Sequence, residues 1–155
     1  MIFLFRFSGL FAGCLVGILA WCFLPGQISG RNAVFLSDFL KTYVTIATIL
    51  IGFSAGITNS FITGTNEKMM RLIRKHHFYR SFLWQFHATT TINFVGLVLG
   101  LFTILLLEYI PGGRAAWWTV FFTLSVASAG VAMFLSAAWT STLIAQKTEE
   151  LLEDE

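Results

Sequence analysis

The stretch ATTTINFVGLVLGLFTILLLEYI, residues 88–110, decides the fold class of this chain. It carries a single charged side chain, Glu108, close to its C-terminal end. As an α-helix it is roughly 35 Å long, whereas the hydrocarbon core of a bilayer is about 30 Å thick. Its residues are continuously apolar rather than alternating, and only helices and closed barrels cross a bilayer. The stretch therefore predicts a transmembrane helix.

Three other stretches share this composition, at residues 7–24, 43–62 and 117–144. The sequence thus predicts an all-α integral membrane protein, a single domain over residues 1–155 in which four transmembrane helices form an antiparallel bundle. The composition agrees, because 56% of the residues are hydrophobic and 12% are charged, against about 25% charged residues in soluble domains. A net charge of +2 is too small to indicate direct nucleic-acid binding.

The basic residues predict the orientation. Seven of them flank one set of helix ends: Arg6, Lys68, Arg71, Arg74, Lys75, Arg80 and Lys147. Three flank the opposite set: Arg31, Lys41 and Arg114. Cytoplasmic loops carry the excess of Lys and Arg, so we expect both termini in the cytoplasm.

The connectors between the predicted spans differ in character. The cytoplasmic connector, residues 66–87, mixes its five basic residues with apolar ones, which is typical of helices that contact anionic lipid at the inner membrane surface. A plain basic loop and a docking site for a soluble cytoplasmic partner are the alternatives. The outer connector, residues 27–40, is either a short interfacial helix or an extension of the second span. Pro111-Gly112-Gly113 predicts a tight turn, and the acidic tail, residues 146–155, predicts a helical extension or a segment that pairs with the basic connector.

Glycines recur at four-residue spacing in three of the spans. The set comprises Gly9, Gly13, Gly17, Gly52, Gly56, Gly96 and Gly100. Four residues return to nearly the same helix face, where a missing side chain lets two backbones approach closely. The glycines indicate either packing within one chain or a homo-oligomer that assembles partly through the first three.

Small and weakly polar residues share one face of the second span. Within an arc of roughly 80° at about 100° per residue lie Thr45, Thr48, Gly52, Ala55, Asn59 and Thr63, and Lys41 and Asn66 continue the arc before and after them. A wider strip in the third span contains Thr89, Asn93, Gly96, Gly100 and Thr103. Such residues either line a weakly polar pore or bond to neighbouring helices and to their own carbonyls.

Residues suited to catalysis or metal binding are few. Asp, Glu, Lys, Arg and His are missing from the interior of the four predicted spans, and such residues are the usual markers of proton relays and coupled transport. Cys14 and Cys22 are about 12 Å apart on a helix, too far for a disulfide. His76, His77 and His87 do not have a metal-site spacing. We expect neither an enzyme nor a bound metal or cofactor.

Several features occur together along most of the chain: Leu24-Pro25-Gly26 after the first span, a second span with Thr and Ser, the basic run from Lys68 to Arg80, the Leu-rich run from Leu97 to Leu107 and a Glu-rich end. In this layout the chain resembles the RexB family of four-span membrane proteins from lambda-type phage exclusion. It is also similar to the membrane subunits of two-component antiphage systems, Kiwa included. It departs from the family in Trp117-Trp118 and in a longer acidic tail.

The resemblance implies an effector of the bacterial inner membrane that dissipates ion gradients when a cytoplasmic sensor is triggered, as in abortive infection. Two hypotheses follow. The chain is an oligomeric pore that perturbs the membrane potential, or it is a non-conducting anchor or sensor that recruits a soluble cytoplasmic partner. The two hypotheses differ in whether the polar arc of the second span faces a lumen or a neighbouring helix.

Overall fold

The computed structural model describes residues 8–23, 30–63, 78–110 and 114–153. Four helices occupy these ranges: α1 (Ser8–Phe23), α2 (Arg31–Thr63), α3 (Phe78–Tyr109) and α4 (Arg114–Glu153). No strand occurs within the described ranges. The all-α prediction is therefore confirmed.

Three of the helices are long and apolar enough to cross a membrane. The qualifying stretches are Arg31–Asn59, Leu83–Tyr109 and Arg114–Leu143. The apolar part of α1, Gly9–Phe23, is shorter and measures about 22 Å as a helix. Length and composition thus support membrane helices for the second, third and fourth predicted spans.

The helices extend beyond the predicted spans. α2 begins at Arg31 rather than at residue 43, so most of the outer connector is an extension of the second span. The helix starts after Gly30, whose φ of 58° is one that glycine adopts readily, and whose carbonyl accepts the N–H of Ala33 at 3.1 Å. Ala33, Leu36 and Leu40 are buried at helical spacing, and this apolar face keeps the chain helical past Asp38.

Several predictions concern residues outside the described ranges. These are the turn at residues 111–113, most of the cytoplasmic connector with Lys68, Arg71, Arg74 and Lys75, and the histidines His76 and His77. Arg6 also lies outside them, as do the side chains of Thr63, Arg80 and Lys147.

The helices pack in the order α2, α3, α4, α1, with smaller contacts between α2 and α4. One cluster joins the start of α2, the end of α3 and the start of α4: Ala33, Leu36, Leu40, Ile104, Leu107, Ala116, Trp117 and Val120. Since α2 begins where α3 ends, these two helices are antiparallel. α1 packs chiefly on α4.

Large apolar side chains are exposed and several polar ones are buried, unlike the usual distribution in a soluble domain. Large side chains of α1 are exposed, among them Phe11 (78%) and Ile18 (64%). Asn93, Thr103 and Thr123, in contrast, are fully buried. Such a distribution suits helices surrounded by hydrocarbon, where polar groups gain by bonding inside the bundle.

Candidate functional site

Two members of the polar strip of α3, Asn93 and Thr103, bond to α4. The hydroxyls of Thr103 and Thr123 lie 2.8 Å apart and form a hydrogen bond between the two helices. Asn93 donates from Nδ2 to the carbonyl of Thr89 at 2.9 Å and to that of Gly130 at 3.4 Å. Because these groups bond to one another and to backbone, they connect helices inside the chain.

Gly130 permits this contact and was not singled out in the sequence. A Cβ atom at this position would lie 2.6 Å from Oδ1 of Asn93. Atoms this close must shift, so the glycine makes room for the asparagine. The small residues around Gly130, in the run SVASAG at 125–130, were the available signal for a close helix contact.

The glycines of α1 lie against α4 of the same chain. A Cβ atom on Gly13 would lie 2.9 Å from the carbonyl oxygen of Ser125. One on Gly17 would lie 2.8 Å from Oγ of Ser125, and one on Gly9 would clash with Met133. Ser128 also donates its hydroxyl to the carbonyl of Ala12 at 3.4 Å. This face is occupied within the chain, so a second copy has no access to it while α1 stays packed.

The glycines of α3 lie against α2. The ring of Tyr43 covers Gly96, and a Cβ atom on Gly100 would lie 3.1 Å from Cγ2 of Val44. The Tyr43 hydroxyl is buried without a hydrogen-bond partner among the described residues. Gly96 and Gly100 therefore also serve packing inside the chain.

The polar arc of α2 faces away from the other helices. Its described members Thr45, Thr48, Gly52, Ala55 and Asn59 are exposed, as is Gly56 beside them, and we call these six residues the α2 outer face. For Gly52 and Gly56, no atom of the described chain lies within 4 Å of an added Cβ. The hydroxyls of Thr45 and Thr48 donate to the carbonyls of Lys41 and Val44, at 3.1 Å and 2.9 Å. The arc therefore does not connect α2 to α3.

Three charged side chains meet where α2 begins and α3 ends. Nζ of Lys41 lies 3.6 Å from Oδ1 of Asp38 and 3.3 Å from Oε1 of Glu108. They border a cleft of about 320 Å³ that is also lined by Ser37. In the sequence, Lys41 and Glu108 were interpreted as charges flanking separate spans. The spacing of Asp38 and Lys41 indicated only the pair within α2, because no local pattern points to a residue in α3.

Aromatic side chains attach α1 to α4 at this same end of the helices. The ring centroid of Trp21 lies 4.9 Å from that of Trp117 and 5.6 Å from that of Trp118. Next to them, an apolar groove of about 500 Å³ runs between Gly17 and Phe121. Such clusters are typical of the interface between hydrocarbon and headgroups.

The residues considered for redox or metal chemistry are not brought together. Cys14 and Cys22 are free and exposed, and His87 is exposed on α3. In the part of the chain that the structure describes, no three His, Cys, Asp or Glu side chains are grouped so that they could hold a metal ion.

No known family model, curated protein or solved structure matches the chain.

Proposed function

We propose that the chain is a four-span protein of the bacterial inner membrane with both termini in the cytoplasm. The distribution of basic residues supports this orientation. Membrane insertion of α1 is supported by its exposed apolar side chains and by its contact with α4 through glycines. The first span as predicted from the sequence, residues 7–24, would be about 27 Å long as a helix, and a modest local thinning of the bilayer accommodates that length.

In this proposal, several copies associate through the α2 outer face. The observation that carries it is that these small and weakly polar residues are exposed in the single chain. Gly52 and Gly56 allow another backbone to approach closely, and this favours helix association in lipid. The Thr45 and Thr48 hydroxyls are already bonded to their own helix, so their burial in an interface leaves no donor unpaired.

The assembled α2 outer faces line an ion path. A path within one chain is disfavoured, because the buried polar groups of α3 and α4 bond to each other. Hydroxyls and an amide provide weak dipoles, and the glycines and the alanine of this face add no charge. Such a wall would pass ions with little selectivity. Perturbation of the membrane potential is also what the resemblance to the RexB family implies, and an antiphage role is part of the proposal on that basis.

The competing function is a non-conducting anchor. In that case the α2 outer face packs against a neighbouring helix without a lumen, and the basic connector recruits a soluble cytoplasmic partner. Both functions predict contact between copies or with another membrane helix, and only the pore predicts a change in membrane potential.

The test combines crosslinking with a measurement of potential. In a background with Cys14→Ser and Cys22→Ser, Thr48→Cys should form a disulfide-linked dimer in membranes. Phe94→Cys, an exposed position on α3, is the control and should crosslink far less. A potential-sensitive dye should then report depolarisation in cells that overproduce the wild type. If Thr48→Cys crosslinks and the wild type never depolarises cells, the pore is ruled out in favour of the anchor.

A further inference from the structure

The cleft between the start of α2 and the end of α3 contains an unusual serine. Ser37 is only 5% exposed, and its Oγ has no hydrogen-bond partner among the described residues. The nearby Thr42 and Thr45 instead donate to the carbonyl four residues earlier. Buried hydroxyls are nearly always bonded. Since Ser37 lines the cleft, a ligand there can supply the missing partner.

The charges around the cleft have both signs. Lys41 lies one helical turn after Ser37 on the same face of α2, so a hydroxyl and an ammonium donor are adjacent. Asp38 and Glu108 supply acceptors from two different helices. Two carboxylates against one ammonium give the cleft a net charge of −1. This favours a neutral zwitterion over an anion. The side chains of Lys41, Asp38 and Glu108 are 54%, 69% and 48% exposed, so a ligand can reach them.

The cleft lies at the edge of the membrane if α2 and α3 span it, and in this respect the inference rests on the proposed function. Tyr109, directly after Glu108, is 80% exposed, and tyrosine is enriched at the headgroup level. The cleft volume of about 320 Å³ is within the range of small-molecule pockets. Besides water, lipid headgroups are the most abundant polar molecules there.

We propose that this cleft binds the headgroup of a zwitterionic lipid with a primary ammonium, of the phosphatidylethanolamine class. The lipid ammonium lies between Asp38 and Glu108 in the position that Nζ of Lys41 occupies now. Lys41 turns to the lipid phosphate, which also accepts the hydroxyl of Ser37. A trimethylammonium headgroup has no N–H to donate to the carboxylates, and an anionic headgroup adds a second negative charge.

Native mass spectrometry of the purified chain tests the proposal with phosphatidylethanolamine, phosphatidylcholine and phosphatidylglycerol of matched acyl chains. The wild type should retain phosphatidylethanolamine about tenfold more tightly than either other lipid, equivalent to about 1.4 kcal/mol. Glu108→Gln and Ser37→Ala should reduce this preference severalfold. Arg114→Gln, an exposed charge at the same end, and Thr42→Val are matched controls and should keep it.

A double variant that exchanges the charges of Lys41 and Glu108 distinguishes loss of lipid binding from misfolding. Lys41→Glu with Glu108→Lys retains an ion pair between α2 and α3 but places a carboxylate beside Ser37, where the phosphate is expected. This double variant should stay folded and lose the lipid preference. An excess of free phosphoethanolamine should displace bound phosphatidylethanolamine, whereas phosphocholine should not.

Equal retention of the three lipids by the wild type overturns the proposal, as does a loss in Arg114→Gln as large as that in Glu108→Gln. Bound lipid is measured by mass and not through membrane potential, so failure of the ion path leaves this result unaffected. Reporter fusions test the membrane topology separately.

Discussion

At the scale of single residues, the contact between Asn93 and Gly130 leaves no room for an added side chain. Gly130→Ala should destabilise the chain by about 1–3 kcal/mol, because the new methyl group would overlap Oδ1 of Asn93 and force a shift in a packed contact. Thermal unfolding in detergent measures the change. Thr91→Ala, at an exposed position of the same helix as Asn93, is the control and should change the stability by less than about 0.5 kcal/mol. Equal effects of the two substitutions would contradict the prediction.

At the scale of helices, α1 depends on α4 for its position. Gly13→Ile should separate the two helices. Even an added Cβ at this position would lie 2.9 Å from the carbonyl oxygen of Ser125, so a branched side chain cannot fit. We expect a lower unfolding temperature and a change in tryptophan emission, since Trp21 contacts Trp117. Leu15→Ile introduces the same side chain on the exposed side of α1 and should have little effect. The prediction is wrong if both variants behave like the wild type.

The orientation of the helices can be tested with reporter fusions. A fusion after Glu155 should report the cytoplasm, and one within residues 27–33 should report the opposite compartment, because seven basic residues flank one set of helix ends and three flank the other. An alkaline phosphatase and a fluorescent reporter at each site provide opposite readouts. A C-terminal fusion found outside would reverse every assignment of sides made for this chain.

At the scale of the whole molecule, Gly52→Ile should lower both the assembly state and the depolarisation of cells. The side chain would fill the space through which another backbone approaches the α2 outer face, while no described atom of the same chain obstructs it. Native mass spectrometry and a potential-sensitive dye measure the two effects. Phe94→Ile, at an exposed position of α3, should leave both unchanged. Loss of depolarisation without loss of assembly would favour a pore-lining role for this position over an interface role.

Much of the fold could be predicted because it depends on local chemistry. Continuous apolar runs require backbone groups to be paired within the segment, and this predicts helices wherever the runs occur. The same argument starts the second span at residue 43 and leaves open whether the segment before it is a separate short helix, because Asp38 and Lys41 interrupt the apolar run. These charges stay within the helix since Leu36 and Leu40 bury the opposite side and Lys41 pairs with Glu108.

Helical periodicity and the properties of single side chains are enough to predict that the chain is helical, that its helices are long and apolar, and which small and polar residues share a helix face. Which face meets which helix is known only from the packed bundle. It directs the glycines of α1 and α3 to partners inside the chain, leaves Gly52 and Gly56 open, and joins Lys41 to Glu108. The rotation of one helix against another depends on the packing of both surfaces, whereas the sequence of one helix describes only the surface of that helix.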